Sequence, residues 1–172
     1  MTHKTDVLAR LAALGIPCQH HEHAAAHTIA DCYGLPYYSP DITICKNIFL
    51  CNRQKTAFYL YVTMPDKPFR TADVSKLLGV SRLSFAPDEL LRELMEVESG
   101  SLAPFALWYA AQPGVTLVID REVSASPRIA FHPCDNTATV IFDQPVFWKQ
   151  VIPALGTEPV LLDVPRPTEK TE

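Results

Sequence analysis

Two stretches, ITICKNIFLCN (42–52) and TAFYLYVTM (56–64), are rich in β-branched and aromatic residues and are separated by the polar residues Arg53, Gln54 and Lys55. Their length and bounding turn residues predict a β-hairpin, which anchors the reading of everything around it. Toward the carboxyl end, MPDKPF (64–69) is a turn and DVSKLLG (73–79) a short helix stopped by Gly79. A brief strand follows at Leu83–Phe85. Pro87 suits the first position of a helix, with Asp88 and Glu89 favourably placed in its first turn and an apolar face at 90, 91, 94 and 95. Residues 98–105, ESGSLAPF, are a loop of small residues. VTLVID (115–120), RIAFHP (128–133) and TATVIF (137–142) are strands, the last two joined through the turn-forming CDN. Asp143 and Pro145 open a last helix that Pro153 bends or shortens, VLLD (160–163) is a final strand, and residues 166–172 form a flexible tail.

Toward the amino end, DVLARLAAL (6–14) carries a helical apolar stripe and stops at Gly15. TIAD (28–31) is an N-cap signature for a short helix ending near Gly34. LPYYSPD (35–41) is a Pro-rich loop long enough to act as a lid or a covering strap. Strands and helices mix without strict alternation. The expectation is therefore an α/β (α+β) fold: one domain over residues 1–165, a mixed β-sheet with packed helices.

The chain has 172 residues, 48% of them hydrophobic and 20% charged, with a formal charge of −4. That composition excludes disorder and provides for a substantial core. No apolar run reaches the ~18 residues of a membrane span, and MTHKTDVLARLAALG lacks a signal-peptide pattern. Five cysteines without a C-x-x-C pair predict free thiols in a reducing compartment, hence a cytoplasmic location. The charge is uneven. Residues 46–82 carry seven basic side chains against Asp66 and Asp73, whereas the flanking segments are net acidic. Such a segment fits contact with a limited stretch of phosphates better than a long duplex footprint.

Several constellations could bear chemistry. His20, His21, His23 and His27 offer imidazoles, but no cysteine or carboxylate stands at a familiar metal-ligand spacing, so a strand and loop leading to the Thr28 cap is the better reading and no metal is expected. Cys45 beside Lys46, and Cys134 two residues past His132, are nucleophile candidates in apolar surroundings where cysteine is usually filler. Lys46-Asn47 is a polar pair inside an apolar strand. Gly100-Ser101 opens a loop whose backbone N–H groups can cradle an anion. His132 ends an apolar strand and Asn136 follows in the next turn.

Taken in order, KNIFL (46–50), GSLAPF (100–105) and FHPCDNTATV (131–140), preceded by the HAAAHT segment (23–28), resemble the YbaK/ProX aminoacyl-tRNA editing superfamily, which includes the editing domain associated with prolyl-tRNA synthetase. The resemblance spans about residues 5–163 and is nearest the freestanding ProX-type deacylases, although Ser99 stands where family loops more often have proline. It implies a mixed-sheet α/β fold, no cofactor, and hydrolysis of mischarged tRNA(Pro), most often alanyl-tRNA(Pro). The alternatives are deacylation of Cys-, Ser- or Thr-charged tRNA, or a non-catalytic module that binds aminoacyl-tRNA or the synthetase. The partners implied are the acceptor end of tRNA(Pro) and prolyl-tRNA synthetase. By the same resemblance Lys46, Gly100, Ser101 and His132 are the catalytic candidates, with Asn47, Thr28, Pro104, Phe105 and Asn136 contacting substrate. Lys46 meets the terminal phosphate or the carbonyl region, and the Gly100 and Ser101 N–H groups hold the carbonyl oxygen. Pro104 and Phe105 wall the pocket, and His132 sets its size. The task suits the physics, since a pocket shaped for proline gains only about 1–3 kcal/mol against an amino acid lacking a methylene.

Overall fold

The computed structural model describes residues 3–110 and 114–166. The expected tail therefore lies almost wholly outside the described residues. The β-structure is mixed, as anticipated, and is divided between two sheets that share one core. The reason lies inside the deciding stretch. Residues 42–51 do not run as one strand: β2 (Ile42–Ile44) belongs to a four-stranded sheet and β3 (Lys46–Cys51) to a five-stranded one. The chain changes sheets at Cys45, whose N–H still donates to Ala130 of the first sheet (3.2 Å).

β3 and β4 (Phe58–Thr63) form the predicted antiparallel hairpin, Lys46 opposite Thr63 and Cys51 opposite Phe58. The short β5 (Ser84–Phe85) pairs with the far end of β3. β6 (Val115–Asp120) and β9 (Val160–Leu162) extend the sheet by parallel pairing. In the other sheet β1 (Gln19–Glu22) pairs antiparallel with β8 (Ala138–Asp143), β8 with β7 (Arg128–Phe131), and β7 lies parallel to β2. Phe49, Leu60, Leu117, Ile129, Phe131, Val140 and Phe142 fill the space between the sheets, nearly or fully buried.

The helices fall close to expectation. α1 (His3–Ala13) buries Val7 and Leu11. α2 (Ile29–Tyr33) is held by a full capping box: Asp31 N–H donates to Thr28 Oγ1 (3.2 Å) and the Asp31 carboxylate accepts from Thr28 N–H (3.0 Å). α3 (Thr71–Leu78) ends at Gly79 in the left-handed region, φ 69°. α4 (Asp88–Met95) begins one residue later than expected, with Pro87 as its cap. The helical stretch 144–154, α5, is interrupted by a π turn at Phe147–Val151, where Ile152 N–H donates to Phe147 C=O. The wider turn lies just before Pro153, which lacks an N–H and whose ring would crowd the carbonyl four residues back. None of the helices among the described residues is long and apolar enough to cross a membrane.

Candidate active site

The sheet change at Cys45 is what assembles the site. Parallel β2 and β7 run with Ile44 opposite Ala130, so their continuations, Cys45-Lys46 and Phe131-His132, emerge at the same end of the pair. There they meet the Gly100 loop and the start of α2 around a cleft of about 260 Å³. Lys46, Asn47, Gly100, His132 and Thr28 all line it, together with Cys32, Tyr37 and Thr139. This volume is just below the low end of typical small-molecule pockets, about 300–1,000 Å³.

Each group is held in a definite way. His132 is half-buried. Its Nδ1–H donates to the Ala138 carbonyl (2.8 Å), leaving Nε2 as an acceptor on the cleft side, 3.9 Å from the Cys32 sulfur. Burial, opposed only in part by the Ala138 bond, holds its pKa below the usual imidazole value, so the ring is neutral near pH 7. Asn47 donates through Nδ2 to the Cys45 carbonyl (3.3 Å), while its Oδ1 is buried without a partner. An unpaired buried acceptor is costly, and this one lies in a residue that lines the cleft. The Lys46 ammonium has no hydrogen-bond or ion-pair partner among the described residues, and no carboxylate lines the cleft. Gly100 adopts φ +86°, a conformation that favours glycine, and its N–H makes no hydrogen bond among the described residues.

Four expected contacts differ. The Ser101 N–H donates to the Glu98 carbonyl (3.0 Å), closing a turn, so it is not free to hold a carbonyl oxygen. Pro104 and Phe105 do not line the cleft: they open a 3-10 turn, Pro104–Tyr109, that rotates Phe105 fully into the core against Phe131 and Phe142. Asn136 lies outside the lining, and its carbonyl instead accepts from Ala26 N–H (2.9 Å). The histidine run also disperses. His20 binds Glu22 (2.8 Å), His21 stacks on Tyr37 and His27 is exposed at the rim. His23 bonds Thr139 Oγ1 (2.8 Å) and the Ala24 carbonyl (2.7 Å). No group of three His, Cys, Asp or Glu suited to a metal occurs among the described residues. Cys45 and Cys134 are buried thiols pushed up, Cys134 to about 12, which argues against either as a nucleophile.

A chain of hydroxyls went unread in the sequence. Tyr37 OH donates to Thr139 Oγ1 (2.7 Å), and Thr139 in turn faces His23 Nε2. Because a carbonyl only accepts, His23 Nδ1 carries the proton toward Ala24, and in the neutral ring Nε2 accepts from Thr139. The Pro-rich loop 35–41 is thus a strap, tied at its other end by Asp41 and Ser39 to Arg128 (2.7 and 3.0 Å). The signals that could have found this chain were Tyr37 within a loop already read as a cover, and Thr139, a polar residue on an apolar strand.

The aminoacyl-tRNA editing domain family matches residues 23–147, which includes every lining residue named above. The prolyl-tRNA editing protein ProX of Acetoanaerobium sticklandii is 29% identical over 141 residues, 82% of this chain and 85% of that protein. The prolyl-tRNA synthetase associated domain-containing protein 1 of Bos taurus is 28% identical over 159 residues, 90% and 91% of the two chains. A crystallised chain proposed as a trans-editing enzyme for prolyl-tRNA synthetase shares the fold, with a TM-score of 0.72 at 16% identity over 97% of this chain and 99% of that one. The family match over residues 23–147 covers most of the chain, so the chain belongs to the aminoacyl-tRNA editing domain family and stands among the aminoacyl-tRNA deacylases.

Proposed function

We propose that this protein hydrolyses, in trans, the ester of mischarged tRNA(Pro), and that alanine is the amino acid it removes. The observation that carries the reading is the cleft itself: small, free of carboxylates, and supplied with an unpaired ammonium, an unpaired N–H, the unpaired Asn47 Oδ1, and His132 Nε2, whose partner is the weakly bonding Cys32 sulfur (3.9 Å). An ester on a ribose hydroxyl is already activated, so water suffices as nucleophile and the protein's part is positioning and charge stabilisation. The Lys46 ammonium and the Gly100 N–H face the carbonyl oxygen as it becomes an oxyanion. Asn47 Oδ1 and His132 Nε2 accept from the substrate's own N–H and O–H groups and fix its orientation. In this reading Tyr37, Ile44 and Ala130, which line the cleft, bound the aminoacyl end. The place of action is the cytoplasm, where tRNAs are charged, and a supporting partner is prolyl-tRNA synthetase.

The test is hydrolysis of Ala-tRNA(Pro) set beside Pro-, Cys- and Ser-tRNA(Pro). Alanine released at least ten-fold faster than proline supports the reading, and faster release of cysteine or serine overturns the choice of amino acid. Lys46→Ala should lower kcat by about 10²–10³ with the unfolding transition unchanged, the usual loss for one oxyanion-stabilising group. Wild-type turnover by that variant would remove the mechanism.

A further inference from the structure

The cations of this protein divide into two sets. Lys4, Arg10, Lys67, Arg92, Arg121, Arg128 and Arg166 each lie within ion-pair distance of a carboxylate. Arg53, Lys55, Arg70, Lys76 and Arg82 are exposed and, among the described residues, have neither an ion pair nor a side-chain hydrogen bond. Among the described residues, apart from Lys149, the unpaired lysines and arginines therefore all come from the segment 46–82. In a chain of net charge −4, with acidic segments on either side, internal pairing has left these charges aside.

Three of them converge. Arg53, Lys55 and Arg82 line a groove of about 380 Å³ together with Asn52 and Phe85. The platform is rigid. Asn52 Oδ1 accepts from Thr56 N–H (2.8 Å) and Ala57 N–H (3.1 Å), fixing the hairpin turn that carries Arg53 and Lys55. Phe85 is held by strand pairing opposite Leu50 and by edge-to-face packing on Phe69 (5.5 Å). It is nevertheless 62% exposed, more than any other large apolar side chain among the described residues. A fixed aromatic face ringed by unpaired cations is the arrangement that binds a nucleic-acid strand, phosphates to the cations and a base to the ring.

Its position relates it to the cleft. Lys46 begins β3 and lines the cleft; Cys51 ends β3 and lines the groove. A strand of that length spans about 17 Å. That is about five phosphates of a stacked strand at 3.4 Å each. We propose that the groove binds the acceptor end of the tRNA, with the phosphates preceding the terminal adenosine on Arg53, Lys55 and Arg82 and an unpaired base on Phe85. This rests on the substrate class proposed above and adds to it a second, separable contact. Cleft and groove then measure different parts of one substrate, the ester and the strand that leads to it.

The experiment compares the wild-type protein with R53Q/K55Q/R82Q and with F85A, all surface changes, each checked for an unchanged unfolding transition. Binding of an uncharged tRNA(Pro) acceptor-stem microhelix is followed by fluorescence anisotropy across a salt series. Hydrolysis is measured on alanyl-tRNA(Pro) and on 3′-alanyl-adenosine, which cannot reach the groove. The triple variant should lose about two units of the log–log salt slope, at about 0.7–0.9 per phosphate contact. F85A should bind roughly 5- to 150-fold more weakly, the cost of one lost base stack. Both should lose kcat/KM on the tRNA by matching factors and keep it on alanyl-adenosine. An unchanged affinity and salt slope overturns the proposal, as does a groove whose loss weakens only binding to a purified acidic protein such as the synthetase. Failure of the wild type to hydrolyse either ester strikes the proposed reaction instead, and the microhelix data still judge the groove.

Discussion

At Gly100 the backbone sits at φ +86° with open space where a Cβ would go, so a substitution there tests conformation rather than crowding. G100A should cost about 1–2 kcal/mol of stability through the left-handed backbone. It should also lower kcat by moving the N–H that faces the carbonyl oxygen; a variant with unaltered kcat and stability would deny the loop its role. His132 makes a second residue-level prediction. Burial depresses its pKa, so on acidification the ring protonates only below the usual imidazole range near 6.5. If Nε2 acts as an acceptor, kcat/KM is level through neutrality and falls below pH 6.5, and H132N loses that acid limb; a fall that begins above pH 7 would contradict the neutral-acceptor role. Lys46 and His132 were legible in the sequence because each interrupts or ends an apolar run. The Tyr37–Thr139–His23 chain was not, because His23 and Thr139 stand 116 residues apart and meet only once β1 pairs with β8. Ser101 and Phe105 misled for the opposite reason. They lie in the same loop as the lining residues Gly100 and Leu102, and turns of the backbone send one N–H and one ring elsewhere.

At the scale of elements, most boundaries could be read because caps and breakers are local chemistry: Gly15, Gly79, Thr28 with Asp31, and Pro87. The change of sheet at Cys45 could not, since an apolar run reads the same whether it serves one sheet or two. Yet that change brings Lys46 level with His132. The short helix α2 contributes Ile29 and Cys32 to the cleft and has only five residues, so its position depends on its cap. T28A should destabilise by about 1 kcal/mol and T28S by much less, because the hydroxyl of either Ser or Thr accepts from the Asp31 N–H. If α2 frames the aminoacyl end, T28A also raises KM while T28S leaves it near wild type; equal KM for both variants would detach the helix from substrate binding.

Across the whole molecule, charge is divided between work done inside the fold and charge left at the surface, and a sequence count cannot distinguish them. Lys67 was reckoned with the basic segment, but it is 4% exposed and belongs to the interior. Its ammonium donates to Asp120 Oδ2 (2.6 Å) and to the Val164 carbonyl (2.5 Å), and lies 3.0 Å from Glu122. Thr63 Oγ1 donates to the same Asp120 oxygen (2.9 Å), so β4, β6 and the segment after β9 are tied at one point. Beside this cluster Arg166 pairs with Asp66 and Glu122 on a largely solvated face. The two sets of pairs are neighbours in space and similar in bond length, but burial should separate their energies. K67M strands a buried carboxylate and should cost about 3–5 kcal/mol. R166Q breaks solvent-screened pairs and should shift the unfolding transition far less. Urea unfolding of the two variants at pH 7 makes the comparison directly. Similar losses would mean that the Lys67 site is hydrated in solution, and that its cation belongs after all with the surface charge available to a polyanion.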